Sequence, residues 1–346
     1  MSDLLLGALS ALLATNPPAA LSNLVHARTG LTVPVPDAQD PVEREYQRVL
    51  SLDDAAQEEV QQWTRDRELV GNRPTDLDNT LFRGKIRARY EPVKEAYESF
   101  LKANPRHARA RLAYGSFLGD IGEEGLAHAQ WIRATELDPQ NPAAWNNLAN
   151  FYGHNGPVTN AFACYARALA LRPQEALYYQ NYATTVFLFR HDARAYFGLT
   201  EPQVFAKALA LYREARRLDP GNFTLATDLA QTYYPLMPKA PPSTEVERRA
   251  LEPTVNDALS AWADALPLAP DETTRQGVHL HRARWQINAG RFEDARRSLG
   301  LVTQGGLATT VRNLSNKLAR LEAPATNRPP SSSSAPKRES PAAPQP

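Results

Sequence analysis

The side chains that most often carry catalysis or bind metals are few and scattered in this sequence. The histidines are His26, His107, His128, His154, His191, His279 and His281. His279 and His281 are two residues apart, and on a helix this spacing points them to different faces, which makes a poor metal pair. Cys164 is the only cysteine, and its alanine-rich surroundings favour a buried, inert thiol over a nucleophile. With no glycine-rich phosphate loop after a strand, the sequence predicts no catalytic residue, no cofactor, no metal and no enzyme activity.

Composition and charge narrow the class of protein further. Hydrophobic residues make up 42% of the 346 residues, which is enough for a sizeable core. Lys and Arg number 39 against 38 Asp and Glu, for a formal net charge of +1. This near balance argues against a general nucleic-acid binder, because such a protein needs a dense excess of cations to displace phosphate counterions. One thiol cannot form an internal disulfide, so packing must supply the stability.

Prolines that end apolar, alanine-rich runs recur along the middle of the chain. They are Pro105, Pro139, Pro173, Pro220 and Pro270. The first two intervals (139 − 105 and 173 − 139) are both 34 residues, and the next two (220 − 173 and 270 − 220) are 47 and 50. A period of this length indicates stacked helix-turn-helix repeats, with insertions where the interval is longer. No segment alternates convincingly as a strand.

Residues 142–175 form the clearest repeat. Its defining positions are Trp145, Leu148, Ala149 and Tyr152 on a first helix, then Ala161, Tyr165, Ala168 and Pro173 on a second. This pattern resembles that of the tetratricopeptide-repeat (TPR) family, and the resemblance covers roughly residues 74–308. It implies an all-α fold, namely a right-handed α-solenoid of TPR helix-turn-helix repeats. Small residues such as Ala149 and Ala161 fit where two antiparallel helices approach most closely.

The repeat frame sets the expected domains. Residues 1–70 are expected to form a helical N-terminal extension, residues 71–322 the TPR solenoid, and residues 323–346 a disordered Pro/Ser-rich tail. The expected repeats are about 74–107, 108–141, 142–175, 176–222, 223–272 and 276–308, followed by a capping helix at about 307–322. Within the first of them, residues 91–105 are expected to form the second helix.

Both long intervals place extra residues between the first and second helices of a repeat. One insertion includes residues 189–199, and the other covers residues 235–242. Thr200 with Gln203, and Thr244 with Glu247, have capping-box spacing and predict where the second helices begin. Pro253 predicts a kink or a break. Four aromatic residues near the first insertion are expected mostly to pack onto the helices. The alternative is an exposed cluster, which would be a candidate binding hot spot. The four residues are Phe187, Phe189, Tyr196 and Phe197.

Charge is uneven along the N-terminal part of the chain. Residues 83–111 contain nine Lys or Arg and three Glu, whereas residues 37–68 contain ten Asp or Glu and four Arg. The simplest interpretation is that the acidic segment forms a helix that folds back on the basic one and caps the first repeat. Each exposed contact of this kind is weak alone. The alternative is a basic patch that recruits an acidic partner.

The resemblance also implies where a ligand binds, because the first helices of TPR arrays line a concave groove that accepts extended peptides or partner helices. The predicted peptide-binding groove residues are Arg109, Asn146, Asn147, Asn150, Asn181, Thr184, Asp228 and Gln231. A side-chain amide offers a donor and an acceptor, so it can pair with a peptide backbone without reading its sequence. The alternative is a polar, solvated groove, because asparagine is common at these positions in TPR repeats that bind nothing. Among these positions only Arg109 fits a cationic clamp for a terminal carboxylate.

The expected function is that of a scaffold or adaptor, an intracellular bacterial-style TPR protein that binds a partner protein or peptide without catalysis. Neither nucleic acid nor membrane is expected as a partner, and the expected compartment is the cytoplasm. Two alternatives stay open: a membrane-associated or exported TPR protein, and a regulatory subunit of an enzyme complex. The first rests on the leucine-rich run from Leu4 to Leu13, which has the look of a signal peptide but lacks a positive start and is too short to span a bilayer.

Overall fold

The computed structural model describes residues 40–69 and 75–322, and all regular elements in these ranges are helices. The expected all-α fold of helix-turn-helix repeats is therefore confirmed over the described part of the chain. The chain divides between Pro173 and Gln174 into two compact units, called here the N-terminal and C-terminal units. The leucine-rich run and the Pro/Ser-rich tail lie outside the described residues.

Six helices make up the described N-terminal unit. They are α1 (Pro41–Leu69), α2 (Asp76–Ala103), α3 (Ala108–Asp120), α4 (Glu124–Leu137), α5 (Pro142–Asn155) and α6 (Val158–Leu171). The helices pack in consecutive pairs, α1 with α2, α3 with α4 and α5 with α6. Asn141 starts α5 by accepting hydrogen bonds from two backbone N–H groups, ahead of a proline at the first helical position. Gly122 and Gly156, with φ of +82° and +70°, reverse the chain between paired helices.

Close approach within each pair depends on small residues. Ala127 and Ala161 are fully buried on α4 and α6, where their partner helices cross them. In the pair α3–α4, Gly115 has the same role, because a Cβ there would lie 2.5 Å from the indole Nε1 of Trp131. Any larger side chain at this position would push the two helices apart. The small residues that recur in each repeat are therefore the residues at which the paired helices touch.

The segment expected to be a separate repeat at 74–107 is one helix instead of two. Helix α2 runs through Pro92 without a break, and α1 is the helix that pairs with it. Proline inside a helix removes one hydrogen bond and crowds the preceding turn. Tertiary packing outweighs this penalty, because Val93, Tyr97 and Phe100 directly after the proline are at most 2% exposed.

The prediction that the acidic segment folds back on the basic one is confirmed. Helix α1 packs on α2, and the two are joined by an ion pair between Arg89 and Glu59, with Nε and Oε2 2.6 Å apart. The hydroxyl of the buried Tyr97 donates to Asp53 at 2.7 Å. Most of the contact is apolar and includes Val49 and Ala56. Hydrophobic burial therefore holds the two helices together, and the exposed ion pair adds little.

Eight α-helices make up the described C-terminal unit. They are α7 (Ala176–Leu188), α8 (Arg190–Phe197), α9 (Glu201–Leu218), α10 (Phe223–Thr232), α11 (Glu245–Ala265), α12 (Glu272–Asn288), α13 (Phe292–Gly300) and α14 (Ala308–Glu322). The packed pairs are α7 with α9, α10 with α11 and α12 with α13. The final helix α14 packs on both α12 and α13 through the buried Leu314 and Leu318, which agrees with the expected capping helix.

Both insertions lie where the sequence places them, between the helices of a pair. The first forms the short helix α8, and the second contains a single 3₁₀ turn, Tyr234–Leu236. The predicted capping boxes at Thr200–Gln203 and Thr244–Glu247 are both present. A break at Pro253 is wrong, since α11 continues through it. As in α2, buried residues after the proline, here Val255 and Trp262, anchor the helix.

No helix within the described ranges is both long enough and apolar enough to cross a bilayer.

Candidate functional site

A recurring hydrogen bond links the two helices of several repeats. The residues eight positions before the closing prolines are Tyr97, Trp131, Tyr165, Tyr212 and Trp262. Wherever this residue is tyrosine, its hydroxyl meets a polar side chain on the paired helix. The oxygen distances are 2.7 Å for Tyr97 and Asp53, 2.6 Å for Tyr165 and Asn150, and 2.7 Å for Tyr212 and Thr184.

These bonds account for two of the predicted groove residues. Asn150 and Thr184 each hold a tyrosine hydroxyl whose side chain is at most 3% exposed. A buried hydroxyl without a partner costs free energy, so the polar side chain opposite it stabilises the fold. This structural role was not predicted from the sequence. The tyrosines at a constant distance before each proline were the signal that it was present.

Tryptophan at the same position changes the hydrogen bonding between the paired helices. The indole N–H groups of Trp131 and Trp262 have no hydrogen-bond partner within the described residues. Opposite Trp131, Ser116 is left to accept a hydrogen bond from Asn147 of the next repeat, with Nδ2 and Oγ 3.0 Å apart. One of the predicted groove asparagines is therefore connected between repeats, at a position that remains half-exposed.

A cleft of about 420 Å³ opens beside this contact in the N-terminal unit. We call it the N-terminal cleft, and its lining residues are Ser116, Gly119, Asp120, Glu124, Trp131, Asn147, Asn150, Phe151, His154 and Asn155. Asn147 uses its Nδ2 on Ser116, and Asn150 uses its Oδ1 on Tyr165. The Oδ1 of Asn147 and the Nδ2 of Asn150 have no hydrogen bond to the described protein. The cleft thus offers one acceptor and one donor, with amide orientations assigned from these bonds.

Two other predicted groove residues of the N-terminal unit are already engaged or buried. Arg109 pairs with Glu43, with Nη1 and Oε2 2.9 Å apart, and its guanidinium lies 5.0 Å from the ring centre of Tyr46. It therefore holds α3 to α1. Asn146 is 4% exposed, and its assignment to a groove stays a prediction.

The predicted groove residues of the C-terminal unit form a separate set. Asp228 accepts a hydrogen bond from Gln180, with Oδ2 and Nε2 2.8 Å apart, and burial raises the pKa of its carboxyl. Asn181 is half-buried, and Gln231 is exposed. The structure joins Gln180 and Asp228 by this one hydrogen bond, and Thr184 is bonded to Tyr212.

The remaining candidates for chemistry are structural. His281 is stacked on Trp262 with ring centres 4.2 Å apart, and burial lowers its pKa to about 4. His279 and His281 belong to no group of three or more metal-ligating side chains in the described ranges. Cys164 is buried, and burial raises the pKa of its thiol to about 11, as expected for an inert cysteine.

The aromatic residues near the first insertion pack largely as expected. The rings of Phe187 and Phe205 are 6.1 Å apart, and the ammonium of Lys207 lies 4.5 Å from the ring centre of Phe197. Phe189 is half-buried, and Tyr196 is 45% exposed. In this part of the described chain, the four aromatic residues therefore do not form a single exposed patch.

One segment of the chain matches a known repeat family. Residues 131–156, which span the end of α4 and all of α5, match a family model described as tetratricopeptide repeat. The same arrangement of paired helices, small contact residues and closing prolines recurs on either side of this match. The match identifies a tetratricopeptide (TPR) repeat at residues 131–156. The matched residues include six of the ten that line the N-terminal cleft: Trp131, Asn147, Asn150, Phe151, His154 and Asn155.

Several solved structures are similar to this chain. YrrB, titled a TPR protein with an unusual peptide-binding site, is 15% identical with a TM-score of 0.48, over 64% of this chain and 99% of its own. PilW, titled a type IV pilus biogenesis factor, is 15% identical with a TM-score of 0.46, over 71% and 98%. MamA is 19% identical with a TM-score of 0.39, over 54% and 92%. The comparison with curated proteins found no match.

Proposed function

We propose that this chain is a non-catalytic TPR scaffold and that it binds an extended segment of a partner protein in the N-terminal cleft. The observation that carries the proposal is the pair of half-used amides on α5. Asn147 and Asn150 are three residues apart and therefore lie on one face of the helix. One leaves an acceptor and the other a donor, which is what the N–H and C=O groups of an extended backbone require.

The dimensions and walls of the cleft support the same role. Its volume of about 420 Å³ falls within the range of about 300–1,000 Å³ that is usual for ligand sites. Trp131 and Phe151 provide apolar walls beside the two amides. Sites of this kind derive much of their affinity from aromatic anchors. In the C-terminal unit the comparable hydrogen bonds join Gln180 to Asp228 and Thr184 to Tyr212.

The experiment compares Asn147→Ala with wild type against a partner captured from native lysate and then purified. Loss of one backbone hydrogen bond should weaken binding about fivefold, measured by titration calorimetry. Asn160→Ala is the matched control, because Asn160 is an exposed amide on the second helix α6, away from the cleft. Equal affinities for all three proteins would reject the cleft as the binding site. The cytoplasmic location, and the expectation of neither nucleic-acid nor membrane binding, stay predictions.

A further inference from the structure

One end of the N-terminal cleft carries two carboxylates that the protein leaves unpaired. Asp120 is the last residue of α3, Glu124 is the first of α4, and both line the cleft. Neither forms an ion pair or a side-chain hydrogen bond with any described residue. Glu123 between them differs, because both of its oxygens lie 2.9 Å from the Nζ of Lys94. We call Asp120 and Glu124, with Trp131 and Phe151, the acidic corner.

The electrostatics of the acidic corner favour a cation. Asp120 is exposed, yet desolvation of its carboxyl and the negative charge of Asp53 raise its pKa. A carboxylate held in this way gains free energy from any positive charge that comes close. The residues that line the cleft include no lysine and no arginine. The cleft is therefore more acidic than the chain as a whole, whose formal net charge is +1.

The aromatic side chains of the corner fit the same ligand. The rings of Trp131 and Phe151 meet edge to face with centres 6.5 Å apart, and both side chains are half-buried. Gly119 keeps the indole close to α3, since a Cβ there would lie 3.3 Å from the ring. A guanidinium or ammonium group binds well where an aromatic face and a carboxylate are both within reach.

We propose that the acidic corner binds the cationic side chain, arginine or lysine, of the segment whose backbone pairs with Asn147 and Asn150. This inference rests on the proposed function, and it adds the type of partner side chain that the cleft selects. The partner is thus a protein with a basic residue in an extended stretch. The acidic corner supplies charge selection, and the two amides supply sequence-independent backbone contacts.

The test uses two synthetic peptides, Ac-Gly-Gly-Arg-Gly-Gly-amide and the same peptide with norleucine at the centre. Each is titrated into the ¹⁵N-labelled full chain while the indole N–H signal of Trp131, identified through Trp131→Phe, and the side-chain amide signals of Asn147 and Asn150 are followed. The arginine peptide should move all three signals and bind roughly fivefold more tightly than the norleucine peptide, the gain expected from exposed ion pairs of ordinary strength. Added salt should reduce this preference.

Charge-removal variants decide which group is responsible. Asp120→Asn/Glu124→Gln should abolish the arginine preference. Glu45→Gln/Glu58→Gln should keep it, because these residues are exposed and unpaired on α1 of the same unit, and the double change alters the net charge by the same amount. A preference that survives Asp120→Asn/Glu124→Gln, or is lost equally in both variants, would overturn the proposal.

The remaining outcomes separate the inference from the proposed function. If both peptides move the amide signals of Asn147 and Asn150 with equal affinity, the acidic corner selects nothing and only the inference fails. If neither peptide moves any cleft signal, the proposed function of the cleft fails as well. Residues 323–346 contain Lys337 and Arg338. If the arginine peptide binds only after these residues are removed, the occupant of the cleft is the chain's own tail, and the proposal of a separate partner protein is overturned.

Discussion

Asn150 has a structural role that a stability measurement can separate from ligand binding. The hydroxyl of Tyr165 donates to its Oδ1 at 2.6 Å, and the tyrosine side chain is 2% exposed. Asn150→Ala would remove the hydrogen bond that this buried hydroxyl makes, which costs about 1–3 kcal/mol. We therefore expect the free energy of unfolding to fall by about 2 kcal/mol. Tyr165→Phe removes the hydroxyl itself and should cost only about 1 kcal/mol.

The double variant Asn150→Ala/Tyr165→Phe makes the reasoning refutable. Because it leaves no orphaned hydroxyl, its loss should be well below the sum of the single losses, with a coupling energy of about 1 kcal/mol. Urea unfolding followed by far-ultraviolet circular dichroism measures all three. Asn147→Ala is the control, since its bond to Ser116 is half-exposed and its loss should stay within about 0.5 kcal/mol. Strictly additive losses, or an Asn150→Ala loss as small as that control, would refute a structural role.

Three further predictions concern pH, thiol chemistry and the contact between α1 and α2. Burial lowers the pKa of His281 to about 4 from 6.5, so the unfolded chain binds the proton first. The free energy of unfolding should fall by up to about 3 kcal/mol as the pH drops through this window, and His281→Phe should flatten the dependence. Burial raises the pKa of the Cys164 thiol to about 11, so Ellman's reagent should react slowly at neutral pH until urea is added; fast reaction of the native chain would contradict this. Arg89→Ala should cost under about 1 kcal/mol, whereas Val93→Ala should cost about 2 kcal/mol; the reverse order in urea unfolding would mean that charge holds α1 on α2.

The proline spacing was sufficient to predict most of the helix pairs and both insertions. The spacing is informative because each proline ends a helix, and the small residues that contact the paired helix lie at a constant distance before that proline. The same period therefore predicts both the turn and the helix–helix contact. The capping boxes at Thr200 and Thr244 were also predictable, since they depend on residues only three positions apart. Local rules failed at Pro92 and Pro253, where packing of the following residues keeps the helices continuous.

The candidate site was predicted less well because groove positions were assigned from the family's frame alone. That frame places Asn146 and Asn150 on the ligand side, yet one is buried and the other holds Tyr165. Whether a polar side chain is consumed depends on the residue opposite it on the second helix. Tyrosine takes up the polar partner, whereas Trp131 leaves Ser116 for Asn147. This dependence between helices is invisible to a single-position pattern.

Site-specific photocrosslinking tests the central claim, that the N-terminal cleft holds a partner segment, most directly. A benzophenone amino acid is placed at Asn155, an exposed cleft residue, or at Arg172, an exposed residue at the end of α6 outside the cleft. We predict that one partner crosslinks through position 155 but not 172, at an arginine- or lysine-containing stretch mapped by mass spectrometry. The same crosslink should weaken in the Asn147→Ala background. Equal crosslinking from both positions, or a crosslink unaffected by Asn147→Ala, would contradict the account.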